Sequence, residues 1–174
     1  ENVHGHTIPI ICNVMASRRA LAFALGVEEA QMPLEYARRL KEYIKPVGAR
    51  DPPFRHTILT GAQVGLSKLP IPTYFPGDGG PYLTAALTVA KDPDTGVETE
   101  GYHRFQVKGP QKMGVSLHSR RRMFEYQRRA EARGKNLECA IVLGVHPAIA
   151  MGSLAYPPPE ISKFEVVGGL FQEP

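Results

Sequence analysis

The sequence predicts an α+β fold, with helices flanking a mostly antiparallel sheet or barrel, and three observations carry that reading. The stretch TGVETEGYHRFQVKG (95–109) alternates with period two: Tyr102, Arg104, Gln106 and Lys108 on one face, His103, Phe105 and Val107 on the other. Strand-like runs flank it, joined through DPDTG and GPQ, whose residues suit hairpin turns. Capped helical patterns precede and follow these strands, an order expected of helices packed beside a sheet.

Taken in order, HTIPIICNVM (6–15) reads as a buried strand. Ser17 then caps a short helix, RRALAFALG, that stops at Gly26. PLEYARRLKEYIKP (33–46) is a clearer helix: Pro33 suits its first position, Leu34, Ala37, Leu40 and Ile44 form an apolar stripe, and Pro46 ends it. Proline and glycine break the chain from Gly48 to Gly80, with one short strand near RHTILTG and an extended approach through LPIPTYFPGDGG. Three strands follow, YLTAALTVAK (82–91), YHRFQVKG (102–109) and KMGVSLH (112–118). Ser119 caps the helix RRRMFEYQRRAEARG, closed by Gly134. LECAIVLG (137–144) reads as a buried strand, HPAIAMGSLA (146–155) as a short helix or turn entered through Pro147, and YPPPEIS as irregular. KFEVVGGLF (163–171) reads as a last short strand.

At 174 residues the chain fits one domain, or one domain and part of another. Net charge is +4, which favours anionic ligands but is no nucleic-acid footprint. The arginines of 120–133 read as a solvated face screened by Glu125 and Glu131, so a nucleic-acid module rests on little. Cys12 and Cys139 lie in apolar runs and are expected as buried thiols in a reducing cytoplasm. No apolar run approaches the ~20 residues that span a bilayer, no signal-peptide pattern opens the chain, and no membrane association is expected. The chain starts at Glu1 and reads as a piece of a longer polypeptide.

Metal-finger spacing, a Walker loop and a GxSxG elbow are all missing, and GDGG (77–80) is too weak a signal for a phosphate loop, a turn before a strand explaining it about as well. If the strands on either side of Gly109–Gln111 pair regularly, Arg104 and His118 fall near one end of the hairpin. A cation and an imidazole there can hold a carboxylate or a phosphate, with or without a metal. The alternative is an ordinary solvent-facing arginine and a structural strand-end histidine.

LPIPTYFPGDGGPYLTAALTVAKDPDTG, GYHRFQVKG, LECAIVLGVHPAIAMGSLAYPPP and KFEVVGGL, in this order and spacing, resemble the UbiD family. These are reversible decarboxylases of aromatic and α,β-unsaturated acids that use prenylated FMN. The resemblance implies a split β-barrel related to flavin reductases, with residues 1–70 as the end of an N-terminal α/β region and linker. Residues 71–174 would then be a C-terminally incomplete cofactor-binding domain, the family's later glutamate pair lying past Pro174. It further implies Arg104 at the reacting carboxylate and His118 at a divalent metal beside the cofactor phosphate. Thr84, Tyr102, His103, Ser153, Leu154 and Ala155 fall at cofactor contacts. Manganese or magnesium, and potassium, would accompany the flavin.

Two positions depart from the family pattern. Thr99 stands where the family has asparagine, and Lys163 where it has a metal carboxylate. Three readings are open: Lys163 neutralises the cofactor phosphate itself, Glu160 or Glu165 supplies the carboxylate, or the metal site is degraded. The expected function is a carboxy-lyase acting on a small aromatic or unsaturated acid. The missing glutamates would come from a partner chain or a C-terminal region, in a homo-oligomer or a heteromer. The alternative is a non-catalytic flavin- or phosphate-binding subunit or scaffold.

Overall fold

The computed structural model describes residues 3, 5–118 and 121–174. Its elements are α1 (Arg18–Leu25), α2 (Met32–Arg39), β1 (Tyr82–Lys91), β2 (Glu98–Gly109), β3 (Lys112–Val115), α3 (Arg122–Ala132), β4 (Cys139–Val142), α4 (Pro147–Ser153) and α5 (Lys163–Phe171), with three 3₁₀ turns between α2 and β1. The strands form one sheet in the order β3-β2-β1-β4, and its described strands leave the barrel open. Two compact units emerge. The first comprises Glu1–Cys12, Val47–Thr84 and Arg104–Ser116; the second comprises Asn13–Pro46, Ala85–His103 and Leu117–Pro174.

In the first unit, β2 and β3 pair antiparallel from Phe105–Val115 to Gly109–Lys112, with a register shift between Val107 and Gly109. The regular pairing expected of this hairpin is therefore broken by a bulge, and β3 ends at Val115 instead of reaching His118. The alternation of β2 is real: His103 and Phe105 are buried while Arg104 and Lys108 are exposed. The strand near RHTILTG is replaced by 3₁₀ turns and exposed extended chain, because Pro52 and Pro53 favour a tight turn over a ladder. Residues 6–15 form no strand beyond an isolated bridge at Pro9, and Cys12 is exposed.

The second unit holds the larger core. Ala22 and Leu25 of α1, Met32 of α2, Ala148 and Met151 of α4, and Leu170 of α5 form one apolar cluster. Ser17 caps α1 as its sequence requires, and Gly26 closes it in the left-handed conformation. Helix α2 is shorter than expected, and its buried edge runs through Met32, Tyr36 and Leu40, leaving Leu34 and Ala37 exposed. The apolar stripe is thus displaced by about a quarter of a turn from the one the sequence suggested, with Leu40 common to both. Ser119, the expected cap of α3, lies outside the described residues. Arg128 and Arg129 pair with Glu125 as expected, but the other acids on the α3 arginines and on Arg133 are Asp92 and Asp94. Glu131 makes no ion pair among the described residues, and Arg122 donates to backbone carbonyls. β4 pairs antiparallel with β1, from Leu87–Val142 to Ala90–Cys139, but Cys139 and Val142 are exposed, so this strand is not the buried one expected.

The largest revision concerns residues 163–171, which form helix α5 and not a strand. Ser162 and Glu165 make a reciprocal capping box: the Ser162 hydroxyl accepts from Phe164 N at 3.2 Å, and Ser162 N donates to Glu165 Oε1 at 3.2 Å. The β-branched pair Val166–Val167 suggested a strand, but the S-x-x-E signature nucleates the helix. Two glycines then let α5 lie against the chain following α2. A Cβ on Gly168 would collide with the Ile44 carbonyl, and one on Gly169 with the Glu42 and Arg39 carbonyls. The contact is fixed by Ile44 N donating to Glu165 O at 3.0 Å and by Arg39 Nη1 donating to Leu170 O at 2.8 Å.

In the full-length polypeptide, Gly169→Ala is expected to cost roughly 1–3 kcal/mol or more, since the obstructing atoms are backbone carbonyls; urea unfolding checks this. A second expectation concerns Asp92, 6% exposed and joined to Arg129. Burial alone would raise its carboxyl, but the Asp94 backbone N–H and the Arg129 guanidinium hold it below its ordinary value. The stabilisation is present above the unfolded pKa and lost as pH falls through the lower folded one. Asp92→Asn should therefore lose stability at pH 7 and converge on the parent at low pH in thermal melts.

Candidate functional site

In the first unit, the exposed face of β2 forms the floor of an open groove of about 720 Å³, lined by Tyr74, Phe75, Tyr82, Thr84, Arg104 and Gln106 among others. Its wall is the Pro- and Gly-rich segment before β1. Gln106 Nε2 donates to Gly79 O at 2.7 Å, and a Cβ on Gly79 would stand 2.8 Å from that nitrogen, so glycine permits the approach. Phe75 N donates to Asp78 Oδ2 at 3.0 Å, tightening the turn, and Tyr82 N donates to Pro72 O at 3.1 Å. Tyr74 and Thr84 share a hydroxyl hydrogen bond of 2.8 Å. Arg104 makes no ion pair with any described carboxylate. Aromatic walls, two hydroxyls and an uncompensated guanidinium suit a planar organic anion, and the volume is that of a small-molecule site.

The second unit contains a smaller cavity of about 70 Å³, lined by Thr99, Glu100, His103, Arg121, Tyr156 and Lys163 among others. Thr99 and Glu100 are each 2% exposed, and both Glu100 carboxyl oxygens are buried without a hydrogen-bond partner. Burial pushes that carboxyl up to about 7, against a smaller downward pull from Lys163. Lys163, 9% exposed at the first turn of α5, donates to the Ser153 carbonyl and lies 5.7 Å from the centroid of the Tyr156 ring. Burial draws its ammonium down to about 8, with Glu100 opposing and Arg122 and Arg121 assisting. Burial likewise depresses the His103 imidazole, helped by Arg121 and Lys163.

The residues singled out in the sequence thus fall into two groups. Thr84 and Arg104 line the groove; Thr99, His103 and Lys163 line the cavity. Ser153 reaches the cavity through its carbonyl, whereas Leu154 is exposed and Ala155 half-buried at the end of α4. Tyr102 is half-buried on β2, and His118 lies three residues beyond β3, outside the lining of either space. Glu100, Tyr74 and Arg121 were not anticipated. Period two places Glu100 with the outward residues of β2, and only the neighbouring Thr99 and Gly101, both buried, mark the place where that rule fails.

A divalent metal does not fit the donor set of this cavity. Glu100 and His103 are the two ligand-type side chains in its described lining, too few for a metal site on their own. Lys163 has no lone pair while protonated, Thr99 offers a neutral hydroxyl, and Arg121 adds positive charge. Glu165 is held in the capping box and Glu160 is exposed. Among the described residues no three His, Cys, Asp or Glu side chains come together as a metal-holding group. No helix among them is long and apolar enough to cross a membrane.

The family profile described as UbiD, 3-octaprenyl-4-hydroxybenzoate carboxy-lyase Rift-related domain, matches residues 45–174. The chain belongs to the UbiD family. It is 34% identical over 159 residues to an uncharacterised protein in the cooM 5′ region of Rhodospirillum rubrum, covering 89% of this chain and 34% of that one. It is 32% identical over 168 residues to an anhydromevalonate phosphate decarboxylase of Methanothermobacter thermautotrophicus, covering 95% and 38%. The UbiD-class enzyme HmfF from Pelotomaculum thermopropionicum, solved with FMN, superposes with a TM-score of 0.90 at 32% identity, over 98% of this chain and 39% of that chain. An evolved dimeric form of HmfF, solved with prenylated FMN, gives the same TM-score. The chain spans somewhat more than a third of the length of these relatives.

One expected outcome concerns Glu100. Its folded pKa is raised to about 7 from an ordinary 4.5, so the native state holds a proton that the unfolded chain releases. Stability from this group is highest below about 4.5 and falls as pH rises to about 7, by up to ~3 kcal/mol. Chemical denaturation across that range should show Glu100→Gln losing this slope, gaining on the parent steadily with pH.

Proposed function

We propose that the polypeptide containing this chain is a prenylated-FMN-dependent carboxy-lyase, acting on a small aromatic or α,β-unsaturated acid whose carboxylate is held by Arg104. The carrying observation is Arg104 itself: an exposed guanidinium on a rigid strand, facing an aromatic-walled groove, with no described carboxylate to neutralise it. Family membership, the decarboxylase relative and the flavin-bound HmfF structures support the reading.

Arg104 presents a planar fork of N–H donors that matches a carboxylate in two parallel hydrogen bonds. Tyr74, Phe75 and Tyr82 line the groove with aromatic surface that favours a flat, unsaturated acid over an aliphatic one. The Tyr74–Thr84 hydroxyl pair adds a directional polar contact, and Thr84 is assigned to the cofactor side of it. As the C–C bond to the carboxylate breaks, the electron pair needs a sink, which is the chemistry that the flavin supplies when bound. Arg104 keeps the departing group oriented and its charge compensated until it leaves as neutral carbon dioxide. The proton that replaces it on carbon is assigned, by the family pattern, to a glutamate in the remainder of the polypeptide or in a partner. The remaining assignments follow the family pattern: Tyr102, His103 and the Ser153–Ala155 segment to cofactor contact, and His118 to the cofactor phosphate. Thr99 and Lys163 belong with the phosphate as well.

Arg104→Gln in the full-length polypeptide should lower kcat/KM for the acid by roughly 100-fold or more, with flavin retained. Arg104→Lys should recover only a small part of the loss, because an ammonium cannot reproduce the fork. Steady-state decarboxylation with flavin absorbance read in parallel is the check. Full activity in Arg104→Gln would remove Arg104 from the reaction.

A further inference from the structure

The cavity in the second unit combines two side chains whose hydrogen-bonding needs are unmet in opposite senses. Lys163 has three N–H donors, and the described contacts use one, on the Ser153 carbonyl. Glu100 has two buried acceptor oxygens with no partner at all. The two groups influence each other's charge, yet no hydrogen bond joins them. Burying such groups unsatisfied is costly, and the cavity of about 70 Å³ that both line has room for a small polar group. The remaining lining includes the Thr99 hydroxyl, the His103 imidazole and the cationic Arg121, which is exposed to solvent. Arg122 is held as part of the wall, its guanidinium donating to the carbonyls of Pro157, Pro158 and Ile161.

A divalent cation would meet Lys163 and Arg121 as like charges. Plain water would satisfy hydrogen bonds but leave the excess positive charge. A phosphate monoester answers both needs: one proton is shared between a phosphate oxygen and the Glu100 carboxyl, and the remaining anionic oxygens accept from Lys163 and Arg121. We infer that this chain seats the phosphate of its flavin in the Glu100–Lys163 cavity without a divalent metal, the Lys163 ammonium supplying from within the fold the charge a metal would bring. The inference rests on the proposed function for the identity of the ester. Its own ground is the donor set: an ammonium and a guanidinium facing an unpartnered carboxyl group. Lys163 is fixed there by the capping box of α5 and by Ser153, so the charge is positioned before any ligand arrives.

The test uses the full-length polypeptide, freed of flavin and treated with EDTA, titrated with FMN and with riboflavin, which lacks the phosphate. Flavin fluorescence gives the dissociation constants. FMN is expected to bind in EDTA roughly 10- to 100-fold more tightly than riboflavin, with added manganese changing its Kd by less than about twofold. Lys163→Met should abolish that preference while leaving riboflavin affinity unchanged, and Lys163→Arg should keep part of it. Three results overturn the inference: FMN affinity that collapses in EDTA and returns with manganese, equal affinity for the two flavins, or a preference that survives in Lys163→Met. The first and second need no variant to fold. Failure to bind either flavin overturns the proposed function instead. In that case inorganic phosphate decides the cavity: Lys163-dependent, EDTA-insensitive thermal protection supports the inference, and no protection overturns it.

Discussion

Helix α5 must lie directly on the backbone that follows α2, and most of the second unit is arranged around that requirement. Gly168 and Gly169 allow the approach because any side chain there would enter the carbonyls of residues 39–44. Arg39 then bridges two helix ends, donating to Leu25 O at the end of α1 and to Leu170 O near the end of α5. A guanidinium at two C-termini is favoured by the partial negative charge of both, and it satisfies carbonyls that otherwise lack partners. Glu35 holds the other side of the same guanidinium at 2.7 Å, so the brace is itself positioned. With the C-terminal end fixed this way, the capping box at Ser162 fixes the other end, and the first residue between them is Lys163.

That geometry explains how an ammonium comes to be buried. Lys163 is the opening residue of a helix whose remaining inward face is Val166, Val167 and Leu170, so its side chain is carried inward with them. A lysine at a helix N-terminus is electrostatically disfavoured, since the positive end of the macrodipole adds to the desolvation cost. Ser153 O and the ring of Tyr156 offset part of that cost, but neither is an ion. Arg104 is the contrasting case. It stands in the open on β2, keeps its hydration, and needs no local compensation to persist. One cation is available to whatever enters an open groove, and the other is held in a closed space at a cost that a ligand can reduce.

Much of this was legible in the sequence where a single local rule was in force. The strand over 82–91, the hairpins around it and the alternation of His103, Arg104 and Phe105 follow from period two and turn chemistry, and the helix entered through Pro147 from its first residue. The family motifs around Arg104 were readable for the same reason, being contiguous. Legibility failed where two rules competed. Val166–Val167 favour a strand by propensity, while Ser162 and Glu165 favour a helix by capping, and tertiary contact through the two glycines decided for the helix. Apolar content misled at Cys12 and at Cys139, Ala140 and Val142, which are exposed here, since composition cannot say which strand stands at a sheet edge. Glu100 was invisible because period two assigns it outward, and the residues that line its cavity with it include Arg121, Tyr156 and Lys163, all remote in sequence.

The unpartnered state of Glu100 has a thermodynamic consequence for the whole unit. Two buried oxygens without donors, facing an ammonium with donors to spare, raise the free energy of the ligand-free fold. Any group that completes both sets of hydrogen bonds removes that penalty as well as gaining its own contacts, so stability and ligand affinity are linked through the same atoms. Replacing only one of the two by an apolar isostere would lower the affinity and leave the other buried without its electrostatic partner. A purely structural pair would be expected to close into an ion contact, since nothing but a ligand is served by holding the two groups apart. Glu100 and Lys163 line one cavity without forming an ion pair among the described contacts, and that arrangement is what the proposed phosphate site would use.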